Sequence, residues 1–312
     1  MLKSRQIPSA FRPPCSLQRC GFTIIETVAG LTVLGLVTVT LTQVLTSEQR
    51  FFYDTSEIIR TRGTVRQVAG LLGTELRGLS PANGDIYSPG KTFIEYRGGI
   101  GTSVVCTGAG TGTITLPPLV LASRSGLTSF SDTPMAGDSL WIHDQGLSPD
   151  TADDRWNLHA MVSNPGPGTC PQSSGFTVTA AEAANGLTLV VTPPLSPTTV
   201  DGASIRIFRR ARLELFQAAD TKWYLGYFDC SPARIMPCSI IQPVSGPYLS
   251  PAAGGLDLAY FDRSGTPTLN PLLIARIHVM VRGETGSMIR SSGNRPMKYR
   301  DSLASVFAVR NR

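Results

Sequence analysis

Several kinds of chemistry are missing from this 312-residue sequence. There is no G-x-S-x-G elbow, no glycine-rich phosphate loop, no H-E-x-x-H, and no serine in a recognisable setting with a histidine and an aspartate. The histidines, His143, His159 and His278, are scattered, and no C-x-x-C spacing occurs, so a zinc site has no ligand pattern to rest on. Aromatic residues make up 7% of the chain and no basic stripe interleaved with them stands out, which argues against a nucleic-acid footprint on the folded part. No repeat of fixed period is visible. These absences remove the common hydrolytic, phosphotransfer and zinc mechanisms, and the chain reads as a non-enzyme without cofactor or metal.

Charge is also missing, in two places. Residues 1–21 hold Lys3, Arg5, Arg12 and Arg19 and no acid, which leaves 24 basic against 22 acidic residues for the remainder. The net charge of +6 therefore belongs largely to the N-terminal segment and reads as a topology signal. From Thr27 to Ser47 no residue is charged, and about 20 apolar residues suffice to cross a bilayer as a helix. A cleaved secretory signal would have a shorter core of about 7 to 15 residues ending in a small-residue site, which is not found near Ser47. A lipoprotein signal fails on order, because Cys20 precedes the apolar run. The basic leader is expected in the cytoplasm and the chain beyond Ser47 on the far side of the membrane.

Glu26 interrupts this picture. A carboxylate at membrane depth is either solvated at the headgroup edge or functional, with a partner to be named. The order of basic segment, Gly21, Phe22, Glu26 and apolar run resembles the class III signal of type IV prepilins and pseudopilins, most strongly across residues 19–45. The resemblance implies that a prepilin peptidase cuts between Gly21 and Phe22 and N-methylates Phe22. It also makes Glu26 the fifth mature residue and implies as partners the other major and minor pilins or pseudopilins, an inner-membrane assembly platform and membrane lipid. We expect Glu26 to pair with the Phe22 amine of a neighbouring subunit, its own amine being the competitor.

Beyond Ser47, Phe51, Ile58, Val65, Leu72 and Leu79 recur every seven residues, with Phe52, Ile59, Val68 and Leu76 beside them. Ser80-Pro81 supplies a stop, so the pattern predicts one helix from Phe22 to Leu79, about 87 Å long at 1.5 Å per residue. After residue 80 the apolar period becomes two. Strands are predicted at 92–97, 138–143, 187–191, 204–216, 222–228, 256–262, 272–283 and 302–310. The fold class is therefore α+β: a pilin-like long N-terminal helix, membrane-spanning in its first half and amphipathic in its second, packed on an antiparallel β-rich head. The expected organisation is a leader at 1–21, an assembly helix at 22–47, an amphipathic helix at 48–80 and the head at 81–312.

The order GLDLAYFDRSGTP, LLIARIHVMVRGETG, SLASVFAVRNR at the C-terminus resembles PilW-type minor pilins and the J-type minor pseudopilins of type II secretion. Within it, FDRSG reads as a polar turn on Gly265, with Asp257, Asp262 and Ser264 as a calcium site the alternative. The cluster with Asp150, Asp153 and Asp154 reads as a solvated acidic loop, with calcium or Arg155 as alternative partners, and His143 with Asp144 as strand-edge residues. Cys15 and Cys20 fall in the leader. Cys106, Cys170, Cys230 and Cys238 remain, consistent with two disulfides of three connectivities; the preferred pairing is Cys230–Cys238 and Cys106–Cys170, with buried free thiols the alternative.

The expected function is thus a structural subunit of a type IV pilus or type II secretion filament, held in the bacterial inner membrane as a single-pass protein and then joined into a tip or priming complex in the periplasm or at the cell surface. Nucleic acid is not expected to bind the head beyond the DNA-uptake role of such a pilus. The alternative is a signal-anchored exported ectodomain that acts as an adhesin or ligand-binding module without polymerising.

Overall fold

The computed structural model describes residues 23–121, 126–147, 151–232, 235–290 and 295–310. Two units divide the chain, Met1–Thr55 and Ser56–Arg312, and helix α1, Ile24–Arg77, belongs partly to each. Each unit is described by itself.

In the first unit α1 has no charged residue between Glu26 and Glu48 and is long and apolar enough to cross a membrane. Its many threonines do not spoil this, because their hydroxyls are satisfied within the helix. Thr32 donates to the Ala29 carbonyl at 2.8 Å, Thr38 to Leu34 at 2.7 Å, Thr42 to Thr38 at 2.7 Å and Thr46 to Thr42 at 2.9 Å. Such back-bonding leaves no bare hydroxyl for lipid to solvate. The apolar side chains between them stand free, from 48% exposed at Val37 to 84% at Ile24. A surface of this kind needs a cover of lipid or of other helices.

The second unit contains the rest of α1 and the strands β1 (Ile86–Pro89), β2 (Phe93–Val104), β3 (Thr113–Leu116), β4 (Ser129–Phe130), β5 (Ser139–Asp144), β6 (Arg155–Met161), β7 (Gly166–Gly168) and β8 (Gly186–Thr192). They are followed by β9 (Ser204–Gln217), β10 (Trp223–Asp229), β11 (Ile240–Tyr248), β12 (Leu256–Phe261), β13 (Arg276–Glu284), β14 (Ile289–Arg290), β15 (Pro296–Met297) and β16 (Arg300–Ala308). Every pairing among the described residues is antiparallel. The main path runs β12-β13-β11-β10-β9-β5-β6-β8-β3, with β2 beside β9 and β16 beside β13. A short helix α2, Ala180–Ala184, opens on a Thr179/Glu182 capping box.

The amphipathic stripe packs later along α1 than its heptad spacing suggests. Thr61, Val65, Val68, Leu72 and Leu76 are buried, whereas Phe51, Phe52 and Ile59 are 63–68% exposed. The buried set is spaced by three and four, one face of a 3.6-residue helix, and meets Ile94, Tyr96, Leu213, Leu215, Leu225, Ile277, Val279, Val281 and Phe307 from the sheet. Close approach is required at two glycines: a Cβ on Gly283 would lie 2.8 Å from Val65 Cγ2, and one on Gly73 would lie 2.9 Å from the Phe307 ring. Polar contacts fix the helix in register, with Tyr96 Oη donating to Glu75 at 3.2 Å and Tyr248 Oη to the Thr64 carbonyl at 3.3 Å.

A second core lies away from α1, where Ile114, Leu116, Leu189 and Val191 of β3 and β8 meet Leu140, Ile142, Ile205 and Ile207 of β5 and β9. Between the two cores the inward face of β9 carries Arg209, 1% exposed. Its guanidinium donates to Asp138 at 2.8 and 2.9 Å, to the Thr133 carbonyl at 2.7 Å and to Asp132.

Truncating Leu76, fully buried under the sheet, to alanine should cost about 2–5 kcal/mol in chemical denaturation of the head, while Phe51→Ala should leave head stability unchanged. Burial also holds the Glu75 carboxyl above its ordinary value of 4.5, the Tyr96 hydrogen bond offsetting part of the shift. The folded state then binds this proton more tightly than the unfolded chain, so stability falls as pH rises through the shifted value. Glu75→Gln keeps the acceptor without the charge; it should be more stable than wild type at neutral pH, with the gap closing at pH values below 4.5.

Candidate functional site

The expected processing site, Gly21 and Phe22, lies outside the described residues, as do Cys15, Cys20 and Asp150. Glu26 is described, and its surroundings are local. Thr23 stands just before the first helical residue. Its backbone N–H donates to Glu26 Oε2 at 3.0 Å, its hydroxyl donates to the same oxygen at 2.9 Å, and Thr23 Oγ1 accepts from the Glu26 N–H at 3.3 Å. This is a reciprocal capping box, which satisfies donors that the first turn of a helix leaves orphaned. The signal was present in the sequence as T-x-x-E at 23–26, the same spacing that starts α2. It gives Glu26 a partner on its own chain besides the Phe22 amine. The carboxylate also complements the positive end of the helix dipole.

The four head cysteines form two bridges, Cys106–Cys170 and Cys230–Cys238, which is the preferred connectivity. The first joins the segment after β2 to the loop after β7 at the margin of the second core, and both of its residues are fully buried. The second closes the turn between β10 and β11. Ile235 and Met236 in that turn are strongly exposed.

The other predicted clusters are taken up by local structure. Asp262 Oδ1 accepts from Ser264 Oγ at 2.7 Å and from the Thr266 N–H at 2.9 Å, and Gly265 has φ +88°. The FDRSG segment is therefore a self-satisfied turn, and Asp257 sits back in β12 opposite Met280. Asp153 accepts from the Leu147 N–H at 2.9 Å, while Asp154 approaches His143 Nε2 at 3.5 Å. Arg155, offered as a partner for these acids, instead begins β6 opposite Asp144. His143 lies on β5 opposite Trp156 of β6, with the two rings 5.3 Å apart, and beyond the end of the β5–β9 ladder at Ile142. Asp144 accepts from the Gly146 N–H at 3.2 Å, and its hydrogen bonds hold it below the ordinary carboxylate range although burial opposes them. Among the described residues the one grouping of three His, Cys, Asp or Glu side chains close enough to share an ion is Glu95 with Cys230 and Cys238, whose sulfurs are bonded to each other and offer no thiolate.

No family model, curated protein or solved structure matches the chain.

The bridges differ in the loops they close, 64 and 8 residues in sequence separation. The loop-entropy relation gives about 4 kcal/mol for the longer and about 2.5 kcal/mol for the shorter. Replacing Cys106 and Cys170 by serine should therefore lower the denaturation midpoint of the oxidised protein more than replacing Cys230 and Cys238. Equal losses in guanidinium titrations would contradict this order.

Proposed function

We propose that this chain is a minor pilin or pseudopilin, a structural subunit of a type IV pilus or type II secretion filament. In this reading it is stored in the inner membrane with its N-terminus in the cytoplasm and its head exported, cut after Gly21, N-methylated on Phe22, and assembled with other such subunits. The observation that carries the reading is α1. An uncharged, lipid-compatible surface begins directly after a capped Glu26, and the same helix ends as the packed spine of an antiparallel head. The capping box survives the proposed cut, because Thr23 would be the second mature residue and would keep its backbone N–H. Two bridges in the head suit an oxidising compartment beyond the membrane.

Mass spectrometry of the N-terminus tests the proposal. The expected result is loss of residues 1–21 and a methylated Phe22 in cells that hold a prepilin peptidase. A mature chain starting at Met1 in those cells would falsify it and leave a signal-anchored ectodomain.

The role of Glu26 can be separated from its cap. Glu26→Gln keeps one oxygen that can accept from Thr23, whereas Glu26→Ala removes the charge and the side-chain half of the cap, leaving only the bond from its backbone N–H to Thr23 Oγ1. If assembly needs the charge, both variants should be processed normally yet be absent from sheared filaments. A Gln variant that assembles as well as wild type would reduce Glu26 to a helix cap.

A further inference from the structure

The linear sequence shows no basic stripe interleaved with aromatics, but strand pairing builds one. On β9 the even-numbered residues Arg206, Phe208, Arg210 and Arg212 face away from both cores. Their neighbours on the same face come from other strands: Trp141 lies opposite Arg206, Arg97 opposite Arg210, and Trp156 is carried on β6. Guanidinium groups and rings then alternate. Arg206 lies 4.6 Å from the centre of the Trp156 ring, Arg97 5.7 Å from that of Trp141 and 5.9 Å from that of Tyr87, Arg210 4.8 Å from Tyr87, and Arg212 4.8 Å from Phe93. From Arg206 to Arg212 the row follows six residues of extended chain, about 20 Å.

Charge along this row is uneven. Arg97 is neutralised by Asp85 at 2.6 Å, and Arg210 and Arg212 share Glu95. At the other end Arg155, Arg206 and Arg310 are exposed and have no ion-pair partner among the described residues. With Trp141, Trp156 and Phe208 they line an open cavity of about 640 Å³. The Nε groups of Arg97 and Arg212 also lack an acceptor among the described residues.

We propose that this face binds single-stranded nucleic acid. Unpaired arginines match a phosphate backbone, and rings with guanidinium planes laid on an open sheet match the unstacked faces of successive bases. A ligand made of phosphate alone would use the arginines but not the tryptophans, and a neutral ligand would leave three cations uncompensated. The inference does not depend on the filament reading, because N-terminal processing and this binding can fail separately.

Fluorescence anisotropy with labelled dT12 and the full-length chain in non-ionic detergent tests it, with heparin as a competitor that has charge but no bases. Wild type should bind dT12, with log K falling against log salt at a slope of about −2 for three phosphates contacted. Arg206→Ala should weaken binding and flatten the slope by about 0.7. Trp156→Ala should weaken dT12 binding about tenfold, and Trp156→Phe should restore most of it. Arg300→Ala, remote from this face, should change nothing. Thermal unfolding checks that each variant is folded. The proposal is overturned if about 100 μM protein at low salt gives no anisotropy change, since even non-specific binding is usually tighter than this. It is equally overturned if folded Trp156→Ala binds dT12 as wild type does, or if heparin binding responds to Trp156→Ala as dT12 binding does, either of which marks a bare polyanion surface.

Discussion

Everything in the head hangs on the alternation of one strand. β9 is fourteen residues long and pairs with β2 along one edge and with β5 and then β10 along the other. Because side chains alternate with period two, its odd positions serve the interior and its even positions the surface, and a slip of one residue would exchange them wholesale. Ile205 and Ile207 enter the second core, while Ala211, Leu213 and Leu215 enter the core under α1. Arg209 sits between them, where a charge has no business unless its partners are fixed. Asp138, Asp132, Asp229 and the Thr133 carbonyl surround it and hold it ionised. Removing either side of such a pair strands a buried charge, whereas the intact set specifies a single register.

The same logic of two surroundings on one element applies to α1. Its residues from Thr61 onward repeat apolar contacts at three and four because a sheet lies on one side only. Its residues from Thr27 to Ser47 are uncharged all round, as a helix must be when no single partner covers it. The change of pattern falls near Ser47, where Glu48 and Arg50 restore charge. Phe51 and Phe52 follow at once and remain exposed, so the apolar surface outlasts the uncharged run by more than a turn.

Much of this was legible. The helix was readable from its uncharged run and its stop at Pro81, and the strands with clean alternation, β9 above all, were readable from period two. What escaped had weak alternation or needed distant residues. β11 holds Pro243 and Pro247, which argue against a strand; they are tolerated because this strand pairs with β13 at Tyr248 alone and leaves most of that edge without a ladder. β6, RWNLHAM, is too polar to stand out, and it becomes a strand through its ladder with β5. Leu272 and Leu273 looked like the start of β13 but are exposed in the turn before it. The arginine and aromatic row was invisible for a different reason. Its members come from positions 87 to 212 and meet only because five strands, β1, β2, β9, β5 and β6, are laid side by side in one register.

Glu26 joins the local and the distant in one side chain. Both Thr23 donors converge on Oε2, and no donor among the described residues reaches Oε1. A carboxylate has about four acceptor sites, and the two Thr23 donors take up about half of them. Local cap and intermolecular pair are therefore not rivals for the same lone pairs. The cap holds the carboxylate at the mouth of the helix, against the positive end of its dipole, in one rotamer. An ammonium arriving on a neighbouring helix would meet an acceptor that needs no further ordering, which removes part of the entropic cost of forming the pair. A glutamine in the same place would preserve the orientation and lose the attraction, and a leucine would lose both. That is a physical reason for this position to carry an acid within hydrogen-bonding reach of a threonine.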